Sequence, residues 1–271
     1  MATTDEKRTA FRRLHETGCF VIPNPWTVGT VRWLEHLGFP ALATTSAGAA
    51  FALGLPDYGI GRDAMLAHVR AIVEAADVPV SADFQSGYGD DPAGVAESVA
   101  RCAVTGVAGL SVEDSTGDVR RPLYDLGQAV ERVRAARAAA PEVVLTARAE
   151  GFLVGVRDLD DVVRRLRAYG DAGADCLYAP ALATREEIAT AVAAVAPKPV
   201  NVLAGGAMKM AVADLAALGV RRISVGSALA RAAWAGFVRG ARALAEGRFD
   251  GLADAVPVAE LNAFFGADRR R

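Results

Sequence analysis

Lysine and histidine are scarce in this sequence of 271 residues. Only three of the 30 basic residues are lysines, and only three residues are histidines. The lysines are Lys7, Lys198 and Lys209. None of them ends an apolar run, so an enzyme that works through a lysine Schiff base is not expected. The histidines are His15, His36 and His68. All three fall in segments of helical periodicity, which argues against a histidine metal site or a catalytic triad.

Cysteines are few, and long apolar runs are missing. Cys19, Cys102 and Cys176 are too widely spaced for a metal site or a disulfide framework,. We therefore expect three reduced thiols and a cytoplasmic protein. No apolar run approaches the ~18 residues of a membrane span. The charged residues 1–18 lack the apolar core of a signal peptide, so no membrane partner is expected,.

The charge balance excludes the usual signature of a nucleic-acid-binding protein. The 30 basic and 32 acidic residues give a net charge of −2. Nucleic-acid binders commonly carry a basic excess on one face, and no such excess is present here. Hydrophobic residues make up 52% and charged residues 23%, which is typical of a globular chain that buries a large core,.

Short apolar runs recur along the chain and predict eight buried parallel strands. Each run is continuously apolar rather than alternating, as expected for strands that are covered on both faces. The runs are Phe20–Ile22, Ala41–Thr45, Pro79–Phe84, Gly109–Glu113, Val143–Arg148, Cys176–Pro180, Pro199–Ala204 and Ile223–Gly226. Eight strand–helix units in roughly 250 residues are the count of a (β/α)8 TIM barrel. An open doubly wound sheet is the alternative fold.

Amphipathic segments lie between the runs and predict helices. Several of them end at a glycine that would cap the helix in the left-handed conformation. These are Gly38, Gly106, Gly173 and Gly219. An extra helix is predicted before the first strand, and two helices, Ala228–Glu246 and Val258–Phe265, after the last. We expect one domain over residues 1–271, with 228–271 as a helical extension that packs on its own barrel or on a neighbouring subunit.

The C-terminal ends of barrel strands carry the active site, so the candidate functional residues are those at or just after the ends of the predicted strands. The set is rich in acidic and amide side chains and has no lysine or histidine. Its members are Asn24, Thr44, Thr45, Ser46, Asp83, Gln85, Glu113, Asp114, Arg148, Glu150, Tyr178, Asn201 and Ser227.

Three of these candidates suggest a site for a hard cation. Asp83 and Glu113 end neighbouring predicted strands, and Gln85 would share the side of Asp83 if the strand conformation continued,. Two carboxylates, an amide and several waters suit Mg²⁺. The alternative is a buried ionic network in which Asp83 and Glu113 pair with Arg148. Spacing alone does not choose between the two.

Two further features could bind an anion. The small residues 44–48 would let backbone N–H groups approach an anion closely, although a plain strand-to-helix turn explains them as well,. Arg148 could make a forked contact to a carboxylate. A weaker hypothesis has Arg120 and Arg121 close over an anionic substrate.

Six segments carry a family pattern, namely TTSAGAAFALGLPDYG (44–59), VSADFQSGYGD (80–90), LSVEDS (110–115), LTARAE (145–150), NVLAGG (201–206) and RRISVGSALAR (221–231). In this order along the chain, they resemble the isocitrate lyase/phosphoenolpyruvate mutase superfamily, and more closely its mutase-like bacterial members. The resemblance runs from about Phe20 to Trp234. The resemblance implies a (β/α)8 barrel whose last helices are exchanged between subunits of a homotetramer, a dimer of dimers.

The resemblance also implies a cofactor and a set of site residues. Mg²⁺, or Mn²⁺, would be held by Asp83, Gln85 and Glu113. The substrate carboxylate would be bound by Thr45, Ser46 and Ala47, with Arg148 and Asn201 as further substrate contacts. Arg148, Glu113 and Asp57 would be the catalytic residues, Arg148 by stabilising an enolate oxygen and Asp57 from the rim of the metal site.

Two departures from the family pattern narrow the expected chemistry. Gln85 stands where the family commonly has an acid, and the lost charge should weaken Mg²⁺ binding. The loop 115–122 lacks the Lys-x-Cys-Gly-His motif of isocitrate and methylisocitrate lyases and the Lys-Lys-Cys-Ser motif of the mutases. Isocitrate and methylisocitrate cleavage are therefore not expected, because the cysteine that protonates the leaving enolate is absent.

The sequence thus favours a Mg²⁺-dependent lyase or hydrolase that cleaves a C–C or C–P bond of a small 2-oxo or 2-hydroxy acid through a pyruvate enolate. Oxaloacetate decarboxylation and retro-aldol cleavage are such reactions, and decarboxylation does not require the missing cysteine. One alternative is an enzyme for a phosphorylated substrate, bound by Gly205-Gly206 and Gly226-Ser227. The other is a non-catalytic family member that binds a metabolite.

Overall fold

A computed structural model describes residues 2–267 and shows eight parallel strands in a nearly closed (β/α)8 barrel, which confirms the predicted fold. The strands are β1 (Phe20–Ile22), β2 (Leu42–Ala43), β3 (Val80–Asp83), β4 (Gly109–Glu113), β5 (Val144–Arg148), β6 (Cys176–Tyr178), β7 (Val200–Leu203) and β8 (Arg222–Ser224). Their order in the sheet is β1-β8-β7-β6-β5-β4-β3-β2.

Within the described residues, eleven α-helices surround or follow the strands. They are α1 (Thr4–Leu14), α2 (Val28–His36), α3 (Ser46–Ala52), α4 (Arg62–Ala75), α5 (Pro92–Ala103), α6 (Leu126–Ala139), α7 (Leu159–Asp171), α8 (Arg185–Val195), α9 (Val212–Ala217), α10 (Ala228–Ala245) and α11 (Val258–Ala267). The four glycines expected to stop helices all have a left-handed φ, between +82° and +104°. None of the helices over residues 2–267 is long and apolar enough to cross a membrane.

The ring is closed between β1 and β2 by polar contacts rather than by a strand ladder. The N–H of Ala43 donates to the carbonyl of Pro23 at 3.0 Å. Asn24 links the two edges of the sheet, because its amide donates to the Thr44 carbonyl at 2.9 Å while its Oδ1 accepts from the N–H groups of Val225 and Gly226 at 3.0 and 2.9 Å. Asn24, which follows β1, therefore joins the C-terminal ends of β1, β2 and β8.

Helix α1 closes the N-terminal end of the barrel. A capping box between Thr3 and Glu6 starts the helix, and the buried Phe11 packs edge-on against Phe20 with ring centroids 6.4 Å apart. Gly109 leaves space for Phe11, since a Cβ there would lie 2.6 Å from the ring. The opposite end of the barrel, formed by the C-terminal ends of the strands, carries the candidate site.

The chain divides into two compact units, which adjoin in sequence between Leu229 and Ala230. The second unit has helical structure and exposes large apolar side chains, among them Phe237 at 64% and Phe249 at 76%. The predicted tail helices are confirmed within one or two residues. The single-domain organisation over 1–271 stays a prediction, and its residues 1 and 268–271 lie outside the described part of the chain.

Candidate active site

Three charged side chains stand at the last position of three consecutive strands. Asp83 ends β3, Glu113 ends β4 and Arg148 ends β5, and Glu113 lies directly opposite Arg148 in the parallel ladder. Residues at alternate positions of a barrel strand point inward, so the three side chains meet at the C-terminal end of the barrel. Glu113 is only 3% exposed. The sequence-based expectation that Asp83 and Glu113 come together is confirmed.

Arg148 is the centre of this group. Its Nη1 lies 2.7 Å from Asp83 Oδ1 and 3.2 Å from Glu113 Oε2, and its Nε donates to Glu150 Oε1 at 2.7 Å. The guanidinium also lies 5.1 Å from the centre of the Tyr178 ring. The ionic network proposed as the alternative to a cation site is therefore present. It includes Glu150, which spacing did not predict as a partner.

The site carries more carboxyl groups than this one arginine can balance. Burial raises the pKa of Glu113 to about 8, against the opposing effect of Arg148. Burial also raises the pKa values of Glu150 and Asp57. Over residues 2–267, Glu150 Oε2 is among the few buried side-chain atoms that have no hydrogen-bond partner. The cluster is therefore an environment that favours an added positive charge or retained protons.

Gln85 lies at the site, but its backbone conformation differs from the extended one that the sequence predicted. Its φ of +47° places it in the left-handed region, so the extended conformation of β3 does not continue to this residue. Its Nε2 lies 3.5 Å from Asp57 Oδ1, at the limit of a hydrogen bond. The loop after β3 is held from outside by the buried Arg132, which donates to the carbonyls of Ser86 at 2.6 Å and Asp90 at 3.1 Å.

The predicted carboxylate-binding turn begins α3. Thr45 is the N-cap, and its side chain accepts from the N–H of Gly48. The N–H and the hydroxyl of Ser46 both donate to Asp83 Oδ2 at 2.8 Å. In this structure the donors of Ser46 therefore orient Asp83. Substrate binding by Thr45, Ser46 and Ala47 stays a prediction.

Asn201 belongs to a polar network inside the barrel. Its Nδ2 donates to Ser224 Oγ at 2.9 Å, and its Oδ1 accepts from Arg222 Nε at 2.9 Å. Arg222 in turn lies 3.4 Å from the ring nitrogen of His15. Both ends of the Asn201 amide are engaged, and the residue is 1% exposed. Its role in substrate binding stays a prediction.

A second buried network supports the ends of β4 and β5. Asp114 accepts from the backbone N–H of Glu150 at 2.8 Å, from the hydroxyl of Tyr169 at 2.5 Å and from Arg165 at 3.1 Å. The charge of Asp114 is thus compensated without Arg148. Asp114, although it stands next to Glu113, fixes the backbone beneath the site.

Tyr58 is a site residue that the sequence-based prediction omitted, whereas Glu150 was among the candidates at the strand ends but was given no role. The Tyr58 hydroxyl donates a short hydrogen bond to Glu113 Oε1. The sequence signal that could have indicated Tyr58 is its position directly after Asp57. The signal for a role of Glu150 is its position two residues after Arg148. Arg120 contributes no contact to the site here, because its guanidinium pairs with Asp118 at 3.3 Å.

The donor set fits a hard divalent cation. Carboxylate and amide oxygens are available from Asp57, Asp83, Gln85 and Glu113, and Mg²⁺ prefers oxygen ligands. Over residues 2–267, no three His, Cys, Asp or Glu side chains are grouped so that they could hold a metal ion by themselves. Mg²⁺ is commonly held by one or two carboxylates together with water and substrate, so a smaller set of protein ligands is sufficient.

Comparisons with known proteins place these features in a family. The model for phosphoenolpyruvate phosphomutase matches residues 11–245. A lyase/mutase candidate from Burkholderia cenocepacia J2315 is 48% identical, with a TM-score of 0.94 over 98% of each chain. An oxaloacetate decarboxylase from Bradyrhizobium sp. BTAi1 is 31% identical over 86% of this chain and 83% of its own. The structure of a phosphonopyruvate hydrolase with oxalate and Mg²⁺ is 25% identical, with a TM-score of 0.84 over 99% of this chain and 96% of its own.

Proposed function

Because the chain belongs to the phosphoenolpyruvate phosphomutase family, within the isocitrate lyase/phosphoenolpyruvate mutase superfamily, and is therefore an enzyme, we propose that it is a Mg²⁺-dependent lyase or hydrolase. It cleaves a C–C bond of a small 2-oxo or 2-hydroxy acid through a pyruvate enolate, as in oxaloacetate decarboxylation or retro-aldol cleavage. The supporting observation is the cluster of three carboxyl groups, those of Asp83, Glu113 and Glu150, around Arg148.

Asp83 and Glu113, with Gln85 and Asp57 at the rim, would hold the cation in this proposal. When bound, Mg²⁺ supplies a Lewis acid that stabilises negative charge on a substrate oxygen. The contacts of Arg148 to Asp83, Glu113 and Glu150 use its Nε and Nη1 atoms. Its Nη2 is then available to donate to the oxygen on which enolate charge develops, which lowers the energy of the transition state.

The loop 115–122 selects among the reactions of the family. It has no thiol that could protonate a leaving enolate. Loss of CO₂ from a 2-oxo di-acid leaves the electron pair on the enolate, so bond cleavage itself requires no acid on the leaving group. This favours oxaloacetate over 2-methylisocitrate as the type of substrate, although methylisocitrate lyases are also among the similar proteins.

The phosphate-binding alternative has less support. The backbone N–H groups of Val225 and Gly226 both donate to Asn24 Oδ1. They are engaged in holding the barrel edges together and are not free for a phosphate. Family membership likewise favours catalysis over the non-catalytic alternative.

The first test is a calorimetric titration with oxalate, which mimics the pyruvate enolate. We expect oxalate to bind only when Mg²⁺ is present, and Asp83→Ala to weaken binding by roughly 100-fold, because a charged ligand and its contacts are lost. Asp63→Ala is the control, since Asp63 lies on the surface of α4 with its side chain 76% exposed. Oxalate binding that is equal without Mg²⁺, or equal in Asp83→Ala, would contradict the proposal.

The proposal includes a homo-oligomer, a tetramer in which the C-terminal helices pack on a neighbouring subunit. The residues from 230 onward expose Phe237, Phe249 and Val258 at 64%, 76% and 73%. Contiguous exposed apolar patches commonly mark protein–protein interfaces, and several large apolar side chains of this segment are exposed,.

A further inference from the structure

The turn that carries Asp57 contains a residue in an unfavourable conformation. The N–H of Gly59 donates to the carbonyl of Pro56 at 2.9 Å, which closes a four-residue turn. Tyr58, at the third position, has a φ of +64°, whereas Asp57 before it does not have a positive φ. A positive φ at the third position alone is the pattern of a type II turn, whose third position favours glycine or asparagine. A tyrosine there costs conformational energy that its side chain must offset elsewhere.

The side chain of Tyr58 crosses to another part of the site. Its hydroxyl donates to Glu113 Oε1, while Arg148 contacts the other oxygen of the same carboxylate, Oε2, at 3.2 Å. Each of the two oxygens of Glu113 therefore has its own partner. Without Tyr58, the carboxylate could turn and pair with Arg148 through both oxygens, which is the preferred geometry of an arginine–carboxylate pair.

Tyr58 also lies beside the loop that follows β4. Burial raises the pKa of the Tyr58 phenol, and the neighbouring Ser115 hydroxyl opposes this effect. The ring edge lies 3.8 Å from the point that a Cβ on Gly117 would occupy. Both residues belong to the loop 115–122, which carries Arg120 and Arg121. One side chain thus connects the Asp57 turn, the Glu113 carboxylate and this loop.

We propose that Tyr58 is a positioning residue, which holds Glu113 in the orientation that serves substrate and cation and fixes the loop 115–122 beside it. The inference rests on the proposed function for what the site binds. The contact with the loop does not depend on that function. The strained turn is retained because it is the backbone conformation that carries Asp57 and the Tyr58 phenol to the site together.

The test compares Tyr58→Phe, which removes the hydroxyl alone, with Tyr58→Asn, which relieves the strained backbone. Both should weaken Mg²⁺-dependent oxalate binding by roughly tenfold, the effect of losing one hydrogen bond to a charged group. Tyr58→Asn should nevertheless unfold at the same temperature as the wild type or higher, since asparagine tolerates a positive φ. A purely structural residue would lose stability and leave binding unchanged.

Limited trypsin digestion tests the loop contact independently of any ligand. Arg120 is exposed, with its side chain 88% accessible, and the following Arg121 precedes Pro122, so cleavage should occur after Arg120. We expect Tyr58→Asn to be cut there several times faster than the wild type. Tyr124→Phe is the control, because it removes a phenol hydroxyl from a tyrosine whose ring packs on Arg132 rather than on Glu113.

The outcomes separate this inference from the proposed function. If the wild type binds oxalate with Mg²⁺ and Tyr58→Phe binds it equally well, the positioning role is wrong. If the wild type shows no Mg²⁺-dependent binding, the proposed function fails, and digestion decides the inference. Faster cleavage in Tyr58→Asn then supports it, and an unchanged rate overturns it.

Discussion

Glu113 combines deep burial with three charged neighbours. Its pKa is raised to about 8, mainly by burial, with Arg148 opposing the shift and Glu150 and Asp83 adding to it. A carboxyl group in this state keeps a proton near neutral pH unless a cation replaces it. The same residue therefore links the pH dependence of folding to cation binding.

The first residue-scale prediction concerns pH. The folded state keeps a proton on Glu113 up to about pH 8. The unfolded state releases that proton near the ordinary glutamate pKa of about 4.3. The free energy of unfolding should therefore fall as the pH rises through this window. Between pH 5 and 8, urea unfolding without Mg²⁺ should show a decrease roughly 3–4 kcal/mol larger in the wild type than in Glu113→Gln.

The comparison with Glu113→Gln removes the contribution of other groups. Burial lowers the pKa of His15 to about 3, but that histidine is the same in both proteins. Equal pH profiles for the two proteins would show that Glu113 is ionised throughout. Saturating Mg²⁺ should flatten the wild-type profile, since a cation favours the carboxylate over the protonated acid.

Helix α1 acts at the scale of the element by filling the N-terminal end of the barrel. Phe11 is fully buried in a cluster with Phe20, Ile22, Ala41, Ala108 and Val144. These neighbours lie in β1 and β5 or directly before β2 and β4. A barrel interior is a packed core rather than a pore. The end that α1 covers therefore contributes stability, and the opposite end, which carries the charged cluster, is left for chemistry.

An element-scale prediction follows from this packing. Phe11→Ala should lower the free energy of unfolding by about 3–5 kcal/mol, because it removes a buried ring and leaves a cavity. Urea unfolding measures the change. Arg13→Ala, on the exposed side of the same helix, should change it by less than about 0.5 kcal/mol,. A cost below about 1 kcal/mol for Phe11→Ala would mean that α1 does not close the barrel.

At the scale of the whole molecule, the part of the chain from Ala230 onward differs from the barrel. Phe237 and Phe249 are among its exposed side chains, and Trp234 packs edge-on against Phe237 with ring centroids 5.3 Å apart. Exposed aromatic clusters of this kind are costly in water unless another protein surface covers them. This supports the proposed association of several copies.

The proposed association of several copies predicts the molecular mass of the protein in solution. Size-exclusion chromatography with light scattering should give a multiple of 28.2 kDa for the wild type, four times that value for a tetramer. Phe237→Glu should lower the mass, because burying a carboxylate in an apolar interface is unfavourable. Val104→Glu is the control, placed at an 80% exposed apolar residue at the end of α5. A monomeric wild type would contradict the proposed oligomer.

The sequence by itself determined the barrel, because eight continuous apolar runs separated by amphipathic helices are a local pattern that parallel strands require. It also determined that Asp83, Glu113 and Arg148 share one end of that barrel, since each closes a run. Only the tertiary structure decided which partners these groups have. The left-handed turn at Gln85, the engagement of both ends of Asn201 and the reach of Tyr58 to Glu113 depend on backbone angles and on contacts between residues far apart in the chain. Local residue patterns do not specify such contacts.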